Sequence, residues 1–174
     1  MRFKALMLTL VLLLPGCLDS EGEEIRFNGR NLEGSDVYMF TLEDSTGPLW
    51  NLTEQEGKVV VLAFIFTRCD NTCPVTSQNL KVVYESLTED ELAKVSFVSV
   101  TVDWRHDSPS ELNNWSDRMG YDWPHLTGAK QALDPVYENY GVFPVEQGDD
   151  SDEGYTVAHP CLLYTSDAAD DLRC

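Results

Sequence analysis

The sequence predicts an α/β fold: a mixed central sheet flanked by helices, with a β-hairpin at its N-terminal side. Three observations carry this. Two near-continuous apolar runs, Lys58–Thr67 and Val95–Val102, read as strands covered on both faces. A helical stretch, Pro74–Leu87, lies between them, which is the order of a parallel βαβ crossover. Two more helical stretches follow before the next strand-like segment, so helices are available for both faces of a sheet.

In chain order, Val37–Leu42 is strand-like, Asp44–Gly47 turn-like, and Leu49–Leu52 a short return strand. The helix over Pro74–Leu87 carries its Pro in the first turn, where a missing N–H costs nothing. Val75, Leu80, Val83, Tyr84 and Leu87 are its apolar positions. Ser108 as N-cap, Pro109 after it and Glu111 at the third helical position open a second helix, which ends near Gly120. Gln131–Tyr140 is a third helix, closed by Gly141. Gln147–Gly154 is an acidic loop, and Tyr155–His159 begins another strand. This order gives a βαβ crossover on a mixed sheet, hence a thioredoxin-like fold.

The chain has 174 residues, which suits one domain. Thirty acidic against 12 basic residues give a net charge of −18, with no basic patch to neutralise phosphates, so nucleic acid is excluded as a partner. The same charge disfavours adhesion to an anionic membrane surface. Residues 1–16 read as an export signal: Arg2 and Lys4, an apolar run Ala5–Leu14 too short to span a bilayer, then Pro15-Gly16 before Cys17. Cys17 is the expected lipidation site, and residues 17–34 the lipid anchor and acidic tether of a membrane-anchored protein on the outer face of the cytoplasmic membrane. The globular domain is expected over 35–160, incomplete at its C-terminal end. Cys161–Asp170 resembles the translation of a DNA-sequencing adapter, so 161–174 is expected to be a non-native tail. Leu162–Tyr164 is apolar enough to pair with the sheet, but no core-facing stripe follows it.

Setting those cysteines aside leaves Cys69 and Cys73, where the first buried strand becomes a helix. A helix N-terminus carries partial positive charge and unpaired N–H groups, which favour the reactive thiolate. Arg68 would work in the same direction, or is simply solvated, and Asp70 would work against it. Four residues is about one helical turn, so both sulfurs can face the same way. Two thiolates are soft ligands that select Cu(I) or Zn, and a neutral imidazole would complete a trigonal site. His159 is the foremost candidate, with His106 and His125 as rivals.

Phe64-Ile-Phe66-Thr67-x-Cys69-x3-Cys73-Pro74 resembles the signature of the Sco (SenC) family of thioredoxin-fold copper proteins. Val100–Asp103 with Asp107-Ser-Pro109, Trp123-x2-Leu-Thr-Gly128, and Tyr155-x-Val-x-His159 are similar to later landmarks in the same order. The resemblance spans about 35–160. Asp70 stands where Pro is common and Trp104 where Pro is usual; neither change removes a ligand. The resemblance implies a metal site of Cys69, Cys73 and His159 holding copper, as Cu(I) with Cu(II) also open. It implies delivery of that copper to the binuclear centre of cytochrome c oxidase, whose copper-binding subunit would be the partner. It also implies possible reduction of that subunit's cysteines, with a thiol reductant as second partner. Asp103 is a possible accessory residue, orienting a ligand or contacting a partner, or simply capping a strand end.

The alternative is an exported thiol–disulfide oxidoreductase, which needs Cys69 and Cys73 as a catalytic pair but not His159. A thiol peroxidase fits poorly with Cys73 directly before Pro74. A non-catalytic binding module gives no reason for the strand–Cys–helix arrangement.

Overall fold

A computed structural model describes residues 37–69, 72–148, 155–159, 163–166 and 172–173. The expectations for the signal, Cys17 and the tether, and for Asp70, lie outside these residues, as does most of the tail.

Among the described residues seven strands form one sheet, in the order β2-β1-β5-β4-β3-β8-β9. The parallel centre is β3 (Val59–Ile65) against β4 (Val95–Thr101), in register from Val59↔Val95 to Ile65↔Thr101. Both are buried for most of their length, as their unbroken apolar runs require. Between them run α1 (Thr72–Ser86) and the short α2 (Glu89–Leu92), the latter opened by a Thr88–Glu91 capping box.

The N-terminal hairpin is β1 (Thr41–Asp44) and β2 (Leu49–Asn51). β1 starts four residues later than the expected strand and includes Asp44, which was expected in the turn. Phe40, Leu42 and Asp44 alternate inward from that point. After β4, α3 (Pro109–Met119) begins as expected: the Ser108 hydroxyl accepts the Glu111 amide at 3.3 Å. It ends on Gly120, whose φ of 66° is left-handed. β5 (His125–Thr127) pairs parallel to β4 and antiparallel to β1, joining the hairpin to the sheet. α4 (Lys130–Asn139) follows.

Two expectations need correction. Val75 and Val83 are not core positions of α1: they are 60% and 48% exposed. The covered face runs through Cys73, Ser77 and Leu80, at intervals of four and three residues, so the helix turns its valines outward. The late strand is β7 (Thr156–Ala158), and it does not join the central sheet. It pairs antiparallel with β6 (Val145–Gln147) as a separate hairpin. β6 takes Gln147 from the expected acidic loop.

β8 (Leu163–Ser166) lies antiparallel on β3, and β9 (Leu172–Arg173) on β8. Tyr164 is buried, its ring edge-on to Phe64 and Tyr140 and its hydroxyl on the Tyr140 carbonyl. The strand pairing anticipated for Leu162–Tyr164 is therefore present from Leu163 onward.

Candidate metal centre

The parallel strands fix which residues meet. Ile65 and Thr101 are partners at the ends of β3 and β4, so the loops leaving both strands emerge on one edge of the sheet. The β3 loop carries Cys69 and leads into α1. The β4 loop carries Asp103, His106 and Asp107.

α1 starts at Thr72, two residues before Pro74, so Cys73 lies inside its first turn. Cys73 is 1% exposed, whereas Cys69 is half-buried, and both are thiols rather than a disulfide. Cys69 Sγ accepts the Cys73 amide at 3.3 Å. A first-turn N–H has no partner within its helix, so the sulfur takes the place of a cap.

His159 follows β7 directly. Its Nε2 stands 3.7 Å from Cys73 Sγ, and its ring lies edge-on to Phe66 at 5.7 Å. Of the three histidines the sequence offered, this one meets Cys73. His106 instead donates from Nδ1 to Asp103, 2.9 and 3.0 Å from the two carboxylate oxygens. His125 is buried among Trp115, Tyr121 and Trp123, and its Nδ1 donates to the Trp123 carbonyl at 2.6 Å. Burial pushes His125 down to about 4, the Trp123 carbonyl and Asp44 opposing it, so the ring is neutral. Among the described residues no three His, Cys, Asp or Glu side chains are already drawn together as a metal site.

The loop bearing Cys69 is pinned from below by Asp107, which is fully buried. Its carboxylate accepts the Thr67 hydroxyl at 2.6 Å, the Thr67 amide at 3.2 Å, and the Thr101 hydroxyl. Burial raises Asp107 to about 6; the hydrogen bonds from Thr101 and Thr67 oppose the shift and the nearby Asp103 adds to it.

Asp103 is also buried at the mouth of β4. Besides His106 it accepts the Tyr155 hydroxyl at 3.0 Å. Burial, and then the Asp103 carboxylate, hold the Tyr155 phenol well above its ordinary value, so it stays protonated and donates. Sequence reasoning missed the roles of Asp107, Thr67 and Tyr155. All three lie in the landmark segments of the resemblance, which assigned them no role, and on its own an Asp before a helix N-cap reads as a polar turn.

A family profile described as SCO1/SenC matches residues 31–173. An SCO2-like protein of Rickettsia felis is 28% identical over 130 residues, covering 74% of this chain and 63% of the relative. The chain thus aligns with less than two thirds of that curated relative's length. Among solved structures, the apo Sco1 protein of Thermus thermophilus superposes with a TM-score of 0.74 at 27% identity, covering 88% of this chain and 89% of that one. The copper-bound ScoI of Bradyrhizobium japonicum gives 0.71 at 23% identity, over 78% and 85% of the two chains, a likeness of fold.

Proposed function

The chain belongs to the SCO1/SenC family, and from that premise we propose that it is a copper chaperone holding its cargo through Cys69, Cys73 and His159. One observation carries the reading: Cys73 Sγ and His159 Nε2 are 3.7 Å apart across 86 residues of chain. For bonds of about 2.3 Å to sulfur and about 2.0 Å to nitrogen, the lengths known for zinc, a trigonal angle separates two donors by about 3.7 Å. Cys69, whose sulfur lies 3.3 Å from the Cys73 amide nitrogen, would supply the third donor. Two thiolates and an imidazole are the donor set that suits Cu(I).

The recipient is the copper-binding subunit of cytochrome c oxidase, where the ion enters the binuclear centre. The protein works from the outer face of the cytoplasmic membrane, held there by lipid on Cys17. Copper titration of the reduced chain tests the site. One ion should bind, Cys69→Ser or Cys73→Ser should abolish tight binding, and His159→Ala should weaken it while leaving the thiols oxidisable. Unchanged stoichiometry in the double cysteine variant would refute the reading.

A second reading is favoured by the same cysteines standing as thiols at a helix start. One thiolate attacks a disulfide of the partner, forming a mixed disulfide and expelling a partner thiolate. The other then closes the Cys69–Cys73 bond and releases the second partner thiol, so two electrons pass to the partner. This reaction does not use His159, and the His159→Ala variant separates the two.

A further inference from the structure

The imidazole reaches the cysteines on a weakly anchored arm. The β6–β7 hairpin stands apart from the central sheet, every β6 residue is exposed, and Val157 is the one buried residue of its two strands. Such a unit has little apolar packing to hold it down.

It is held instead by polar ties to the loop after β4. Tyr155, Val157 and His159 alternate with the exposed Thr156 and Ala158, so all three face the body of the protein. The Tyr155 hydroxyl donates to Asp103 at 3.0 Å, and its ring packs on His106 at 4.4 Å between centroids. His106 in turn donates to the same carboxylate. On the other strand, Glu146 meets Arg105 at 3.3 Å. This ion pair is half-exposed and contributes little. Asp103 is 1% exposed and carries the stronger tie.

We propose that Tyr155, His106 and Asp103 form a latch that holds the β6–β7 hairpin down and thereby sets His159 against Cys73. They are positioning residues for the metal site, acting over four residues of extended chain, roughly 13 Å. The inference rests on the reading of His159 as a ligand.

Tyr155→Phe removes the hydroxyl and keeps the ring on His106. In the reduced, metal-free chain it should speed amide hydrogen exchange across 145–147 and 156–158 about tenfold, with β3 and β4 unchanged. Unchanged exchange in the hairpin overturns the latch. With copper(I), the same variant should lose affinity about tenfold, the range expected for a group that orients a ligand. In a His159→Ala background it should lose less than about twofold, because the ligand it positions is gone. An equal loss in both backgrounds overturns the positioning role. A His159→Ala chain that binds copper(I) like wild type refutes the ligand assignment itself, and the exchange experiment then still decides the latch.

Discussion

Asp107 accepts the Thr67 hydroxyl at 2.6 Å, joining the loop after β4 to the loop that delivers Cys69. The contact spans 40 residues and lies two residues before the first candidate ligand. Asp107→Ala would leave the Thr67 amide and the Thr101 hydroxyl without their acceptor in a buried site. The loss of stability in urea should be about 3 kcal/mol. A loss under about 1 kcal/mol would show that the loop does not depend on this carboxylate.

Acid should have little net effect between pH 6.5 and 4, because two buried groups act in opposite directions. His125 is pushed down to about 4 in the folded chain, so its contribution is present above pH 6.5 and is lost as pH falls. Asp107 is pushed up to about 6, so its contribution is present below pH 3.8 and is lost as pH rises. Each is worth about 3 kcal/mol over its window. In Asp107→Asn the His125 effect stands alone and acidification from pH 7 to 4.5 should destabilise the chain. In His125→Asn the same change should stabilise it. Parallel profiles for the two variants would contradict this account.

Closing Cys69 and Cys73 into a disulfide should eliminate copper binding, because the proposed site uses both thiolates. Chain treated with a mild oxidant should take up no copper until it is reduced. Uptake at full stoichiometry by the oxidised chain would place the ion elsewhere.

Gly120 ends α3 at a φ of 66°, with the Lys81 amine 2.7 Å from where a Cβ would stand. That amine also donates to the Met119 carbonyl at 3.0 Å. Gly120→Ala should therefore cost about 1–2 kcal/mol, from the left-handed backbone and the displaced lysine. Thermal unfolding measures it, and an unchanged midpoint would argue against strain at this cap.

Tyr164 tests whether β8 is built into the fold. Tyr164→Ala removes a buried ring packed on Phe64 and Tyr140, and should destabilise by about 3 kcal/mol. A foreign tail merely laid along β3 would show a far smaller loss by urea unfolding.

The parallel centre was legible because Val59–Ile65 and Val95–Thr101 are long apolar runs, and burial on both faces demands that. Ser108, Pro109 and Gly120 bounded α3 for equally local reasons. β5 was not legible: its three residues carry two polar side chains, His125, held by the nearby Trp123 carbonyl, and Thr127, held by the Asp107 carbonyl 20 residues away. Nor was β6, which is exposed throughout and has no alternation to read. At the site, Cys69, Cys73 and His159 could be named because their chemistry is uncommon. The roles of Tyr155 and Asp107 could not, since the Tyr155 hydroxyl meets Asp103 52 residues away and Asp107 joins Thr101 to a Thr67 that is 40 residues away.

The two cysteines and the histidine belong to parts of the molecule with different mechanical character. Cys73 is rooted in the packed face of α1, whereas His159 ends a hairpin lying off the central sheet. An ion shared between them would have one ligand, Cys73, fixed in the packed helix and one, His159, that can leave while the rest of the domain remains folded. If the chain carries the ion as proposed, departure of the imidazole would open a coordination position to an incoming donor, and transfer would proceed by ligand exchange. How tightly the ion is kept and how quickly it is surrendered would then be separately adjustable, the first through the thiolates and the second through the hairpin.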